Sequence, residues 1–226
     1  MLLRVLILGV AIGAFTPLGA LHVLTTTSAS STQSLQPRSV GEDLYRRGLY
    51  AEAIAWYTEQ AAKGDAAAAR RLGVEYMDGK IGVVQRDYER ARFYHLQAAK
   101  AGDARSMFDL GTIYENGLGV AASLVEGAVW YEWAAKYGHP QGQYNFATMV
   151  ETGDAGRKDE VEALMYYLLA ASHGVGGISF DLKTNRVMTD GETPLGQLKR
   201  RMTAAQVAEA TARATAFKPL LGRMPG

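Results

Sequence analysis

The chain has 226 residues, of which 48% are hydrophobic and 21% charged, a balance typical of a folded globular protein. Its 24 Lys and Arg residues are matched by 23 Asp and Glu residues. No excess of positive charge is therefore available for phosphate groups, and we expect no nucleic-acid partner. The absence of cysteine excludes disulfides, thiolate metal sites and cysteine nucleophiles.

An apolar segment opens the chain. Arg4 precedes about twenty mostly apolar residues, and no acidic residue occurs before Glu42. We predict that residues 1–24 are a signal peptide or a membrane anchor and that the rest of the chain is exported. Small residues suited to cleavage occur at Thr27-Ser28-Ala29, but they lie beyond the apolar run, so both alternatives stay open. Residues 25–40 are rich in Ser and Thr and are predicted to be a flexible linker.

The centre of the chain repeats itself every 36 to 38 residues. Glycine recurs at this interval, at Gly64, Gly102, Gly138 and Gly174. A large aromatic residue stands eight positions before each glycine, at Trp56, Tyr94, Trp130 and Tyr166, and we expect this column to pack in the core. Apolar residues also stand eight positions after the first three glycines, at Leu72, Leu110 and Phe146. Such a period predicts a solenoid in which each unit consists of two helices.

The composite pattern of these units, "A..WY..AA..GDA.A...LG..Y..G.GV", resembles the Sel1-like repeat, a relative of the tetratricopeptide repeat. The resemblance covers residues 49–174, and residues 200–219 resemble the helical segment that closes bacterial arrays of this kind. It implies an all-α fold, a right-handed αα-hairpin solenoid with a C-terminal cap helix. The third unit departs from the pattern, with Phe146-Ala147 in place of Leu-Gly and "TGDAGRKD" in place of the usual turn.

The domain organisation follows from these patterns. Residues 41–174 are predicted to form the repeat array and residues 193–218 the capping helices, followed by a tail at 219–226. Thr203 is predicted to be the N-cap of the last helix, which Pro219 ends. Between the array and the cap, residues 175–192 lack a helical or alternating period and are predicted to be an irregular insertion, either functional or disordered.

The sequence offers no convincing catalytic, cofactor or metal site. "GLGVAA" at 117–122 matches a dinucleotide-binding turn, but it follows a predicted helix instead of a strand. His139 and His173 lie beside helix-ending glycines, where the carbonyl end of a helix dipole favours histidine. Asp87 and Asp159 occupy equivalent positions just before the second helices of their units, as expected of N-caps. We therefore expect a protein that is not an enzyme and binds no cofactor or metal.

The best candidate surface lies on the first helix of each unit, which by the resemblance lines the concave side of the array. Arginine, aromatic and amide side chains there have the composition of an interface. We predict that Phe108 is an exposed anchor, and Trp133 on a second helix is a further candidate for an exposed contact. The candidate partner-binding residues are Arg70, Arg71, Arg105, Phe108, Asp109, Gln141, Tyr144 and Asn145.

These observations favour an exported scaffold or adaptor that binds a protein partner through its concave helical face. A peptide- or small-molecule-binding module and a cell-envelope enzyme acting on peptidoglycan remain the alternatives. The resemblance implies a bacterial protein and the amino-terminal segment implies export, so we expect the protein in the bacterial periplasm or cell envelope. Contact with the inner membrane is expected only through residues 1–24, if that segment is uncleaved.

Overall fold

A computed structural model describes residues 40–80, 82–176 and 191–225, together with the backbone of two short strands between the last two ranges. The predicted export segment, residues 1–24, and residues 25–39 of the predicted linker lie outside the described residues. In the described part, helices follow one another in antiparallel pairs that stack into a right-handed solenoid. The pairs are α1 (Val40–Arg46) with α2 (Tyr50–Ala62), α3 (Ala66–Asp78) with α4 (Tyr88–Lys100), α5 (Ala104–Asn116) with α6 (Leu124–Lys136), and α7 (Pro140–Thr152) with α8 (Glu160–Ser172). We call these pairs units 1 to 4.

The cap predicted at the end of the array is present as two helices. They are α9 (Pro194–Arg201) and α10 (Ala204–Ala216), and α10 packs against α8. Between the array and the cap, β1 (Phe180–Asp181) pairs antiparallel with β2 (Arg186–Val187). The described chain is thus dominated by helices, as the all-α prediction requires.

Side chains that cap the helix N-termini define where the helices begin. Asp87 accepts a hydrogen bond from the Arg90 amide and Asp159 from the Glu162 amide, which confirms both predicted N-caps. Thr203 forms a reciprocal capping box with Gln206 at the start of α10. Each cap satisfies an amide that would otherwise lack a partner in the first helical turn.

The repeat glycines lie at the joints between units. Gly102, for example, has φ +96° between α4 and α5, a backbone conformation that side-chain-bearing residues rarely adopt. The glycines of "GLGVAA" also lie in a turn, where Gly117 adopts a left-handed conformation and caps the C-terminus of α5. This motif follows a helix and belongs to the turn inside unit 3.

The core is made of small, aliphatic and aromatic residues from successive helices. Leu72, Leu110 and Phe146 are at most 2% exposed, which confirms that their column is buried. The predicted aromatic column is only partly correct, because Trp56, Tyr94 and Trp130 are half-buried and only Tyr166 is buried.

The deeply buried ring of each unit stands one position later. This second column lies seven positions before each repeat glycine, and its members are at most 5% exposed: Tyr57, His95, Tyr131 and Tyr167. Adjacent helical residues point about 100° apart, so a shift of one position changes which ring faces the partner helix. In units 2 and 3 that ring packs against a glycine of the first helix, Gly73 or Gly111, where a Cβ atom would lie within 2.6 Å of it.

Candidate functional site

The eight predicted partner-binding residues lie on the first helices of units 2, 3 and 4, and we call this surface the first-helix face. Arg70 and Arg71 belong to α3, Arg105, Phe108 and Asp109 to α5, and the other three to α7. Helix α3 contacts α5, and Phe108 of α5 stacks on His139 at the start of α7. The structure also shows that the eight side chains differ widely in their exposure and in their partners.

The two arginines of α3 have different environments. The Nε atom of Arg70 lies 3.3 Å from an oxygen of Asp103, the N-cap of α5, and so links units 2 and 3. Arg71 pairs with the buried carboxylate of Glu75 at 2.8 Å and lies over the ring of Tyr45, 4.1 Å from its centre. Arg71 therefore also has a structural role at the joint between units 1 and 2.

Asp109 is buried, with 6% of its surface exposed, so it offers little surface to a partner. Its carboxylate accepts a hydrogen bond from Nε of Arg105 at 3.2 Å. Burial raises the pKa of Asp109 to about 6, although the Arg105 charge opposes the shift. The side chain of Arg105 is more than half exposed and lies 5.5 Å above the ring of Phe108. Asp109 thus holds the Arg105 side chain in position from its buried side.

A buried histidine lies behind this pair. His95 occupies the column of buried rings, and its Nδ1 atom lies 3.2 Å from the Ser106 hydroxyl and 3.9 Å from Asp109. Burial lowers the pKa of His95 to about 4, so its imidazole is neutral near pH 7. Both neighbours approach the same nitrogen, whereas a catalytic triad needs one group on each side of the imidazole. These three residues therefore do not form a nucleophilic relay.

Phe108 is half-buried, so it is less exposed than the sequence predicted. Its ring stacks on the imidazole of His139 and also contacts Tyr131. His139 is the N-cap of α7, where its Nδ1 atom accepts a hydrogen bond from the Gly142 amide. The expectation that a helix carbonyl end stabilises His139 is therefore wrong. Burial lowers its pKa to about 4, which keeps Nδ1 able to accept that hydrogen bond.

The α7 residues also range from exposed to half-buried. Gln141 is exposed, whereas Tyr144 and Asn145 are half-buried. The ring of Tyr144 lies edge-on to Tyr167, at 5.4 Å, and packs close to Gly176 after α8. Burial, together with the nearby Glu151 carboxylate, raises the pKa of Tyr144. Asn145 lies near the hydroxyl of Tyr131 in the preceding unit.

Two buried tyrosine hydroxyls form matching polar clusters that the sequence analysis missed. Tyr131 donates to Glu115 at 2.7 Å and lies 3.2 Å from the Thr112 hydroxyl. One unit later, Tyr167 donates to Glu151 at 2.8 Å and lies 3.0 Å from the Thr148 hydroxyl. All three residues of the second cluster lie 36 residues after their counterparts in the first. The repeat period could therefore have revealed both clusters in the sequence. These hydrogen bonds connect the two helices within units 3 and 4.

Among the described residues, no group of three or more His, Asp or Glu side chains could hold a metal ion. His173 is exposed at the C-terminus of α8. Trp133, the further candidate for an exposed contact, is half-buried against the cluster that contains Leu110 and Ala134. None of the helices in the described ranges is long and apolar enough to cross a membrane.

Comparisons with known proteins agree with the helix-pair architecture. The family model described as "Sel1 repeat" matches residues 66–103, 104–139 and 140–175, which correspond to units 2, 3 and 4. A crystal structure of a Sel1 repeat protein from Oxalobacter formigenes is 33% identical, with a TM-score of 0.55, over 59% of this chain and 54% of the other. The structure of c5321, a protective antigen of uropathogenic Escherichia coli with an SLR fold, is 19% identical with a TM-score of 0.41, over 78% of this chain and 44% of the other.

Among curated proteins, the chitin synthase regulator SKT5 of Saccharomyces cerevisiae is 31% identical over 111 residues. The match covers 49% of this chain but only 15% of SKT5. The chain therefore spans a small part of that relative and about half of the Oxalobacter protein. The chain therefore contains three consecutive Sel1 repeats, one in each of units 2, 3 and 4.

Proposed function

We propose that this protein is an exported scaffold or adaptor that binds a protein partner through its first-helix face. Sel1-repeat proteins generally mediate protein–protein interactions or act as scaffolds, and the fold is typically non-enzymatic. Those family properties give the general class of function, while the side chains of the face suggest where binding occurs.

The observation that carries the proposal is the arrangement of Arg105. Its guanidinium is exposed, yet the buried Asp109 carboxylate and the ring of Phe108 fix its position. An arginine held in place loses less conformational freedom on binding than a mobile one. Preorganised arginines and aromatic residues are also the side chains that dominate interface energies.

Neighbouring side chains extend this site along the solenoid. Arg70 lies one unit before Arg105 and is paired with Asp103, and the exposed Gln141 lies one unit after it. Arg70, Arg105 and Gln141 thus present polar groups from three successive first helices. We infer that the partner is a protein segment lying across units 2 to 4, with an acidic group opposite Arg105.

The test uses partner capture from a cell-envelope extract, followed by affinity measurements on variants of the full chain. We expect Arg105→Ala and Gln141→Ala to weaken binding, Arg105→Ala by about tenfold or more, as is common for an interface anchor. The matched control is Arg213→Ala on α10. Like Arg105, Arg213 pairs with an acidic residue four positions away on its own helix, in this case Glu209. If Arg213→Ala abolishes binding and Arg105→Ala leaves it unchanged, the partner binds elsewhere.

Export is a separate part of the proposal and depends on residues 1–24 alone. Cell fractionation of a C-terminally tagged chain tests it. We expect the protein in the envelope or periplasmic fraction, and a mature start near residue 30 would identify a cleaved signal peptide. A cytoplasmic pool that retains Met1 would contradict export.

A further inference from the structure

The residues after α10 run back along the array without helical structure and bend at Gly222, where φ is +82°. We call residues 217–225 the strap. The Leu220 amide donates a hydrogen bond to the Lys136 carbonyl at 2.9 Å, and the Met224 amide donates to the Lys100 carbonyl at 3.1 Å. Lys136 and Lys100 are the last residues of α6 and α4 and occupy equivalent positions 36 residues apart. The strap therefore passes from unit 3 to unit 2, with four residues for each unit.

The strap binds groups that the repeat itself provides. The last carbonyls of a helix have no partner inside the helix, so each second helix presents acceptors at its C-terminus. The glycine two positions later leaves room for an extended chain to pass. A Cβ atom on Gly102 would overlap the Gly222 carbonyl, and one on Gly138 would lie 3.1 Å from Pro219. We call this row of second-helix C-termini and glycines the edge groove.

Few strap side chains take part in the contact. Phe217 packs edge-on against Tyr166, and Met224 joins the core cluster that contains Leu110. Between these two anchors, the side chain of Leu221 is 92% exposed. The edge groove therefore recognises mainly an extended backbone with an apolar side chain near each end.

The charges of the strap do not complement those of the edge groove. The strap carries Lys218 and Arg223 and no acidic residue. Arg223 and Lys100 line the same cavity of about 230 Å³, together with Gly64, Gln97 and Ala101. A segment with a carboxylate in place of Arg223 would place a negative charge in the cavity that Lys100 lines, and would therefore complement the charge of the groove.

We propose that the edge groove is a second binding surface, which takes an extended acidic segment of a partner protein, and that the strap occupies it as a tethered competitor. The partner segment presents an apolar residue at each end and two main-chain amides four residues apart. A tethered ligand acts at an effective concentration in the millimolar range, so the strap blocks weak ligands and yields to tight ones. The proposal concerns a different surface from the first-helix face and does not depend on it.

The probe is a fluorescent peptide of residues 217–226 that carries Lys218→Glu and Arg223→Glu. It is titrated into the full chain and into a full-length variant with Leu220→Pro and Met224→Pro, in which the strap lacks both amide donors. We expect the variant to bind the peptide about tenfold or more tightly than the unaltered chain. The same two proline changes in the peptide should abolish binding, and Gly102→Ala in the protein should weaken it, whereas Arg105→Ala should not.

A measurement on the unaltered chain keeps the test independent of how well that variant folds. Excess acidic peptide should accelerate hydrogen exchange at the Leu220 and Met224 amides, because the strap is displaced. No binding to a strap variant that retains helical circular dichroism, or unchanged exchange under excess peptide, would overturn the proposal. The proposal would also be overturned if the unaltered chain formed a dimer in which each strap lies in the edge groove of the other copy and no peptide binds. The occupant would then be a second copy of the chain.

Discussion

The phenyl ring of Phe108 stacks on the imidazole of His139, with ring centres 4.8 Å apart and an angle of 27° between the planes. Phe108 belongs to the first helix of unit 3, and His139 caps the first helix of unit 4. Since the phenyl ring covers one side of the imidazole, it contributes to the burial that lowers the pKa of His139 to about 4. A residue predicted to contact a partner thus also joins two units.

Replacing Phe108 with alanine should expose the imidazole of His139 to water. We expect the pKa of His139 to rise from about 4 towards its usual 6.5. The free energy of unfolding should fall by about 1 to 3 kcal/mol, less than for a fully buried ring. The pKa can be followed by NMR titration and the stability by urea unfolding. Phe93→Ala on α4, where the ring is 62% exposed, is the control and should change neither quantity; an unaltered His139 titration in Phe108→Ala would contradict the assignment.

The hydroxyl of Tyr131 should stabilise unit 3 through its hydrogen bonds. Tyr131→Phe leaves the Glu115 carboxylate and the Thr112 hydroxyl without this partner. We expect a loss of about 1 to 2 kcal/mol in the free energy of unfolding, measured with urea. Tyr76→Phe removes a hydroxyl that accepts a hydrogen bond from Arg90 at an exposed site. This change should lower the free energy of unfolding by less. Equal effects of the two changes would argue against a special role for the buried cluster.

The repeat glycines should differ in their tolerance of alanine. Gly64 and Gly102 have nearly equal φ angles, +91° and +96°, so the backbone strain of an alanine is similar at both. Only at Gly102 would the added methyl group overlap the strap, whereas no atom lies within 4 Å of a Cβ placed on Gly64. We expect Gly102→Ala to lower the melting temperature more than Gly64→Ala and to accelerate hydrogen exchange at Leu220. Equal melting temperatures would indicate that the strap contact contributes little.

The burial of Asp109 predicts a characteristic pH dependence. Burial raises its pKa from 3.8 to about 6 in the folded chain, so the folded chain holds this proton more tightly than the unfolded chain. The stability that this proton contributes is present below pH 4 and is lost as the pH rises through about 6. Asparagine does not titrate, so Asp109→Asn should gain stability relative to the original chain by about 1 to 3 kcal/mol between pH 4 and pH 7.

Urea unfolding of both chains across this pH range measures the difference for Asp109→Asn. The variant Asp154→Asn, at an exposed position, controls for the change in net charge. A stability difference for Asp109→Asn that is the same at pH 4 and pH 7 would show that the carboxyl group is not perturbed.

The sequence predicted the helix pairs and the leucine column because those features repeat with the period of the fold. The column of Tyr57, His95, Tyr131 and Tyr167 also repeats, but it stands beside the Trp56 column on the same helices. Two adjacent aromatic positions cannot be ranked from spacing alone, since burial depends on how far the helix is rotated. The rotation depends on which ring lies opposite a glycine of the facing helix, and only the structure shows that pairing.

The first-helix face was predicted less accurately because its burial arises between units. A helical wheel for α5 cannot show that the cap of α7 covers Phe108 or that α4 lies behind Asp109. The strap was beyond prediction for a different reason. Its contacts use main-chain amides, which leave no pattern in the sequence, and the partners are more than 80 residues away.

The strap also has a consequence for how the array unfolds. In an ordinary solenoid each unit touches only its neighbours, so terminal units can fray while the interior stays folded. Here the residues that follow α10 are hydrogen-bonded to the ends of α6 and α4. Fraying of the capping helices would pull on the strap and weaken units 2 and 3 at the same time. We therefore expect units 2 to 4 and the capping helices to unfold as one cooperative block, in which the end and the middle lose their structure together.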